Sequence, residues 1–364
     1  MGRLPEQTVE QFEEGSRRLA RLGSLFVSLA GGEPLLRPDI VDIVRAVARW
    51  HLPFITTQGW FATPALARQL FDAGLWGVSI SIDYANPQRH ERARSMKGCH
   101  EKAVRALEHF SAARRHKWQR VNLLAVLLND NLDEIEDLIR LAADREAYFM
   151  VQPYCELKTG LTRYHCAGRG VSARLLELRR KYPNFLSNPV FLSKFDQFLN
   201  GGVPGCRAGR AFFNIDSVGD VAICVEERPR PVANLYRDAP RQIVSALRRA
   251  AAGNTCQACW YNCRGETESL YSPISLWHSL PTYFLDRGRP PRAPQPTRAA
   301  GPTRSAATAC RANPATQTSS PQAQAEAAAP HPVSVDNGSV AEGLPGQTEA
   351  VSPARDAEVV KLPA

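Results

Sequence analysis

The sequence lacks any hydrophobic run long enough to cross a membrane. Its beginning, Met1 to Glu14, is polar and acidic and does not contain the apolar stretch of a secretory signal. We therefore expect a cytoplasmic protein with no membrane partner. Because thiols stay reduced in the cytoplasm, the nine cysteines favour metal ligation over disulfides.

Acidic residues do not dominate the chain, since 36 Asp and Glu stand against 45 Lys and Arg, a net charge of +9. The basic residues occur in short, scattered groups, such as Arg17 with Arg18 and Arg248 with Arg249. Such groups are typical of solvated helix faces, and no nucleic-acid-binding motif accompanies them. We therefore do not expect nucleic acid as a partner. A basic nucleic-acid-binding surface is the alternative.

Short apolar segments alternate with helical patterns over the first half of the chain. Strands are predicted at 24–29, 54–57, 77–83, 120–127 and 147–152. Helices are predicted at 6–22, 38–50, 63–73, 98–115 and 131–144. This alternation predicts an α/β fold with right-handed βαβ units and a parallel sheet. Because ligands of such sheets bind beyond the carboxyl ends of the strands, the residues that follow these strands are expected to converge.

The alternation stops after Pro153, which predicts a division of the chain. Residues 154–200 are expected to be a connecting loop with short helices. A cysteine-rich module follows at 201–272, and Gly219 within it predicts a hairpin. Residues 288–364 are rich in Ala, Pro, Thr, Gln and Ser and have no periodic apolar positions, which predicts a disordered low-complexity tail.

The module contains five of the nine cysteines, namely Cys206, Cys224, Cys256, Cys259 and Cys263. The first two form a C-x12-G-x4-C pattern, and the other three form C-x2-C-x3-C. Thiolates at such spacings bind metal ions or iron–sulfur clusters. Four thiolates suit a [4Fe–4S] cluster and also tetrahedral Zn²⁺, so a structural zinc site is the alternative. The spacing does not indicate which four of the five would serve.

A Gly-Gly-Glu-Pro turn, Gly31 to Pro34, follows the first predicted strand. The two glycines allow a ligand to approach the backbone closely, and Glu33 can accept a hydrogen bond from a ligand ammonium group. An ordinary strand-to-helix turn is the alternative interpretation of these four residues.

These motifs occur in an order that resembles the radical S-adenosylmethionine (SAM) superfamily. The segment from Leu25 to Ile40 is similar to the second strand of that family and the loop after it. Thr56 to Gly59 resembles the end of the third strand, and Ser79 to Asp83 resembles the fourth. The cysteine module resembles the auxiliary-cluster extension called SPASM or, in its shorter form, twitch. The resemblance covers roughly residues 6–272.

The resemblance implies a partial (β/α)6 barrel, open on one side, followed by a small iron–sulfur module. It implies that SAM and one auxiliary [4Fe–4S] cluster are cofactors, with the cluster held by the module cysteines. The SAM-binding positions that it implies are Gly31, Gly32, Glu33, Pro34, Ser81 and Asp83. An intact enzyme would generate a 5′-deoxyadenosyl radical and modify a peptide, a cofactor precursor or another small molecule. Its reductant would be a protein such as a flavodoxin or a ferredoxin.

One family feature is missing from the sequence, the C-x3-C-x2-C motif that binds the catalytic [4Fe–4S] cluster. The first cysteine is Cys99, and no candidate for the family's first strand precedes the first predicted helix. We therefore expect the core, residues 1–153, to be N-terminally truncated, with an open sheet edge where the first strand is missing. A start site upstream is favoured because residues 6–40 keep the family pattern; a truncated gene is the alternative. The alternative function is a non-catalytic iron–sulfur or zinc protein, or an inactive relative.

Overall fold

The computed structural model describes residues 6–166 and 168–271, residue 276, and the backbone of the strand Ala357–Lys361. Strands and helices alternate over the first half of the chain, in the predicted order. The strands are β1 (Phe26–Leu29), β2 (Leu52–Thr57), β3 (Gly77–Ser81), β4 (Arg120–Leu127) and β5 (Tyr148–Pro153). The helices are α1 (Val9–Arg21), α2 (Ile40–Ala48), α3 (Pro64–Asp72), α4 (Pro87–Arg94), α5 (Cys99–Ala113) and α6 (Ile135–Asp144).

The first five strands are parallel and lie in the order β5-β4-β3-β2-β1. The carboxyl ends of neighbouring strands are in register, with the Cα pairs Leu29–Ile55, Thr57–Ile80, Ser81–Leu124 and Leu127–Pro153. This α/β architecture confirms the predicted fold class. The loops after β1, β2, β3 and β5 therefore lie along one edge of the sheet, where the sequence predicts a ligand site.

The sequence predicts an open sheet edge at β1, but in the structure this edge of β1 is paired. A ninth strand, β9 (Ala357–Lys361), pairs antiparallel with β1 and also with β6 (Phe212–Asp216) of the cysteine module. The hydrogen-bonding groups of β1 on that side are paired, so the expected open edge is covered in the structure. Of the segment 288–364, for which disorder is predicted, β9 is the described part; the rest lies outside the described residues.

Local sequence signals explain where several helices begin. Thr8 and Gln11 form a capping box at the start of α1, and the Thr63 hydroxyl caps α3 just before Pro64. Helix α4 was not predicted from the sequence. It begins in the same way, with Asn86 accepting a hydrogen bond from the Arg89 amide at 3.0 Å ahead of Pro87.

Helices α2, α3, α5 and α6 bury their apolar faces against the sheet in one continuous core. Members of this core that have no exposed surface come from all of these elements: Val44, Leu70, Val78, Leu107, Leu123 and Ile139. The core fixes the positions of the strand ends and therefore of the loops that follow them. None of the helices in the described part of the chain is both long and apolar enough to span a membrane.

The second half of the chain begins with α7 (Val171–Lys181), α8 (Pro189–Ser193) and α9 (Phe195–Leu199). A small antiparallel unit follows, formed by β6, β7 (Asp220–Ala222) and β8 (Ala233–Asn234), together with α10 (Pro240–Ala252) and α11 (Asn262–Ser269). Strands β6 and β7 confirm the predicted hairpin. Gly219 in its turn has a φ of +85°, and a Cβ there would lie 2.4 Å from the Tyr236 ring, so glycine is required.

Candidate functional site

Glu33 ties the loop after β1 to the end of β2. One carboxylate oxygen, Oε1, accepts hydrogen bonds from the Thr57 hydroxyl at 2.6 Å and the Leu35 amide at 3.0 Å. The other, Oε2, accepts from the Gln58 amide at 2.9 Å. Because a carboxylate can accept about four hydrogen bonds, Oε2 retains capacity for one more donor. The loop thus holds a half-buried, pre-oriented anion at the carboxyl edge of the sheet, preceded by the exposed Gly31 and Gly32.

Asp83 lies just beyond the end of β3, and both of its carboxylate oxygens are already engaged. Oδ2 accepts from the guanidinium of Arg94 at 2.6 and 3.2 Å, and Oδ1 accepts from the Val126 amide at 3.0 Å. Its own amide donates to Nδ1 of His90 at 3.2 Å. Burial lowers the pKa of His90 to about 4, so the ring stays neutral and can accept this bond. These contacts join the β3 loop to α4 and β4.

The geometry therefore gives Asp83 a structural function at the predicted position. Its predicted contact with SAM stays a prediction, as does that of Ser81, which is half-buried at the last position of β3. Glu33 also accepts three hydrogen bonds, but none of its donors is a charged side chain.

We expect Asp83→Asn to lower the free energy of unfolding by about 2 kcal/mol, because an amide cannot accept from both Arg94 and the Val126 amide. Urea unfolding followed by circular dichroism measures this change. Asp42→Asn is the matched control, since Asp42 forms an exposed pair with Arg45 and should cost less than about 0.5 kcal/mol. Unchanged stability combined with weakened SAM binding in Asp83→Asn would instead support the contact with SAM.

Four of the five module cysteines lie within electrostatic reach of others in the set. The thiol of Cys224 interacts electrostatically with those of Cys206 and Cys263, and so does the thiol of Cys259, whereas Cys256 is exposed to solvent. Burial raises the pKa of Cys224 to about 12, and the thiols of Cys206 and Cys263 act in the same direction. In the part of the chain that the structure describes, no three His, Cys, Asp or Glu side chains are grouped to hold a single metal ion.

Arg264 is fully buried beside these thiols and connects the two segments that carry them. Its guanidinium donates to the carbonyl oxygen of Cys259 at 2.7 Å and to that of Val203 at 2.6 Å. It also pairs with Glu268 at 3.2 Å, and Glu268 accepts from the Arg207 amide at 2.6 Å. The backbone on both sides of the cysteine cluster is thus fixed by one buried ion pair.

The charge of Arg264 matches a thiolate-ligated centre. The guanidinium interacts electrostatically with the thiols of Cys206 and Cys259, and a buried positive charge favours their anionic form. A [4Fe–4S] cluster with four thiolate ligands is an anion, so the donor set and its surroundings fit such a cluster. The sequence alone gave no sign that Glu268 is the partner of Arg264.

The module contacts the core at the end of β5. The Asn262 amide donates to Oε1 of Gln152 at 3.4 Å, and the thiol of Cys155 donates to the carbonyl oxygen of Ala258 at 3.4 Å. Burial raises the pKa of Cys155, and the hydroxyl of Tyr261 lies beside it. The loop that carries Cys259 and Cys263 therefore lies against the same sheet edge as the Glu33 loop.

A protein-family comparison identifies the first part of the chain: residues 1–142 match the model of the radical SAM superfamily. The matched segment, which is 142 of the 364 residues, is thus similar to the radical SAM superfamily. Mycofactocin maturase MftC of Mycolicibacterium smegmatis is 29% identical to it over 241 residues, which are 60% of this chain and 57% of MftC. GTP 3′,8-cyclase of Pseudomonas putida is 34% identical over 188 residues, 48% of this chain and 54% of the cyclase.

The chain thus spans little more than half the length of these curated relatives. Among solved structures, Streptococcus suis SuiB bound to S-adenosylmethionine is similar, with a TM-score of 0.50 and 18% sequence identity. The similarity covers 65% of this chain and 58% of SuiB. At this identity the similarity concerns the fold, and it agrees with the partial barrel that the sequence implies.

Proposed function

We propose that this chain is a radical SAM enzyme that modifies a peptide or a cofactor precursor. In this proposal residues 1–153 form the SAM-binding core, residues 154–200 connect the two parts, and residues 201–272 form a SPASM- or twitch-like auxiliary-cluster module. The observation that carries the proposal is the placement of the cysteine-bearing segment, which contacts the end of β5 at the edge where Glu33 is also held. When bound and reductively cleaved, SAM supplies a 5′-deoxyadenosyl radical.

The residues of the Glu33 loop are suited to hold SAM. Gly31 and Gly32 are exposed and allow close approach to the backbone, and Pro34 begins the short helical turn Pro34–Leu36 that Glu33 caps. The remaining acceptor capacity of Glu33 is directed to the SAM ammonium group. The printed sequence contains no C-x3-C-x2-C motif. We therefore derive no step through a catalytic cluster.

In the module, Cys206, Cys224, Cys259 and Cys263 would hold the auxiliary [4Fe–4S] cluster, and Cys256 would not. Arg264 would offset the negative charge of the cluster, and the buried ring of Trp260 would exclude water from it. The spacing alone did not indicate which four of the five cysteines would serve. We further propose that a protein such as a flavodoxin or a ferredoxin donates the electron and that the enzyme is cytoplasmic.

The names of the relatives support a peptide, a cofactor precursor or a small molecule as the substrate class. One is named a mycofactocin maturase and another a GTP 3′,8-cyclase, so the matched proteins act in maturation and in cyclisation of a small molecule. The second candidate function is a non-catalytic iron–sulfur or zinc protein. It is favoured by one observation, that the sequence has the module cysteines but lacks the catalytic-cluster motif.

Titration with SAM distinguishes the two functions. We expect the parent chain to bind SAM and Glu33→Gln to bind it at least about tenfold more weakly, because one charge-assisted hydrogen bond is worth about 1.5 to 3 kcal/mol. Isothermal titration calorimetry under anaerobic conditions measures both affinities, and circular dichroism verifies that the variant is folded.

Glu101→Gln is the matched control, since Glu101 is exposed on α5 and pairs only with Arg105 among the contacts of the described residues. It should bind SAM as the parent does. A parent chain that binds no SAM, or a Glu33→Gln variant that binds it with unchanged affinity, contradicts the proposed SAM site.

A further inference from the structure

A cleft of about 530 Å³ lies between the end of α1 and the outer face of α10. Its lining consists of four arginines, three apolar residues and one serine. The arginines are Arg21, Arg241, Arg248 and Arg249, and all four are exposed.

The charges in this cleft are not neutralised by the protein. Within the described residues, Arg21, Arg241 and Arg248 make no ion pair or side-chain hydrogen bond, and Arg249 donates only to the Ser245 hydroxyl at 2.6 Å. By contrast, Arg17 and Arg18 on the preceding turn of α1 both pair with Glu14. No acidic residue lines the cleft. A concave surface with four unopposed positive charges attracts and retains anions.

The cleft is a fixed part of the fold and is separate from the Glu33 loop. Nη1 of Arg18 donates to the carbonyl oxygens of Leu235 at 3.0 Å and Asp238 at 3.1 Å, which joins α1 to the segment that leads into α10. Arg21 ends α1 shortly before β1 begins at Phe26. The cleft therefore lies towards the amino ends of the strands, whereas the Glu33 loop lies at their carboxyl ends.

The lining favours a peptide over nucleic acid. Pro240, Val244 and Ala252 alternate with the arginines, which suits a ligand that carries both carboxylates and apolar side chains. None of the lining residues is aromatic, whereas sites for single-stranded nucleic acid rely on aromatic stacking platforms. The planar guanidinium group of arginine can also donate two parallel hydrogen bonds to one carboxylate.

We propose that this arginine cleft binds an acidic segment of the peptide substrate, at a distance from the segment that reacts. The inference rests on the proposed function, because it takes the substrate to be a peptide. The cleft would raise the affinity for substrates with an acidic recognition segment and would leave the chemistry at the opposite sheet edge unchanged.

Fluorescence anisotropy with a labelled Glu-rich peptide tests the proposal, with the peptide in which every Glu is replaced by Gln as the ligand control. We expect binding of the Glu peptide, little binding of the Gln peptide, and weaker binding as salt is raised. Arg241→Gln/Arg248→Gln should bind the Glu peptide roughly tenfold more weakly, because it removes two of the four positive charges of the cleft. Arg105→Gln, which removes an exposed arginine on α5, should bind it as the parent does.

Equal binding of the two peptides, or an Arg241→Gln/Arg248→Gln variant that binds like the parent, overturns the proposal. So does a single-stranded oligonucleotide that binds more tightly than the Glu peptide and displaces it, because that result assigns the cleft to nucleic acid. The assay needs neither SAM nor iron. If the chain binds the Glu peptide but not SAM, the proposed function alone is refuted. If it binds SAM but not the Glu peptide, the proposed peptide site in the cleft alone is refuted.

Discussion

Replacing one proposed cluster ligand by serine is expected to reduce the iron bound after anaerobic reconstitution from about four atoms per chain to a small fraction of that. The four proposed ligands are Cys206, Cys224, Cys259 and Cys263. A [4Fe–4S] cluster needs four strong ligands, and a serine hydroxyl is a poor substitute for a thiolate. Cys256→Ser is expected to keep the full iron content, because Cys256 is the module cysteine that is exposed to solvent.

Iron and acid-labile sulfide, measured together with the visible absorption of the cluster, provide the readout for the five variants. Cys256→Ser serves as the matched control, since it removes a thiol from the same C-x2-C-x3-C segment. If Cys256→Ser loses the cluster while one of the other four variants keeps it, the selection of ligands proposed here is wrong.

Arg264→Met is expected to lower the free energy of unfolding by about 3 to 5 kcal/mol. The substitution leaves Glu268 without its partner in a site where only 10% of that side chain is exposed. It also removes the donors to the carbonyl oxygens of Cys259 and Val203, so the two segments that carry cysteines lose their connection. Denaturant unfolding followed by tryptophan fluorescence measures the change, since Trp260 packs against Arg264 at 5.2 Å.

Two further variants separate the buried charge from a general effect of losing arginine. Arg105→Met, at an exposed position of α5, should change stability by less than about 0.5 kcal/mol. Arg264→Met/Glu268→Leu should recover part of the loss, because neither charge is then left buried alone. If Arg264→Met is as stable as the parent, the ion pair does not hold the module together.

Much of the core could be predicted from the sequence because its signals are local. Alternating apolar segments separated by turn residues indicated all five parallel strands, and the structure confirms their order. The Gly-Gly-Glu-Pro turn was correctly placed at a strand end. Helix α4 was missed although Asn86-Pro87 is a helix start signal.

The contacts that define the candidate site could not be predicted because they join residues far apart in the chain. Glu33 meets Thr57 and Gln58, and Arg264 meets Val203, through the packing of whole elements. Spacing alone does not say which thiol faces inward. Cys263 lies on α11, which is packed into the module, whereas Cys256 lies in the loop before it, so only the folded chain separates them.

The central claim, that the cysteine module is an iron–sulfur centre, is tested most directly by Mössbauer spectroscopy of the chain reconstituted anaerobically with ⁵⁷Fe and sulfide. We predict the spectrum of one [4Fe–4S] cluster, with about four irons per chain and no zinc. A chain that retains zinc at the four thiols and assembles no cluster would contradict the account, and it would make this module a structural metal site.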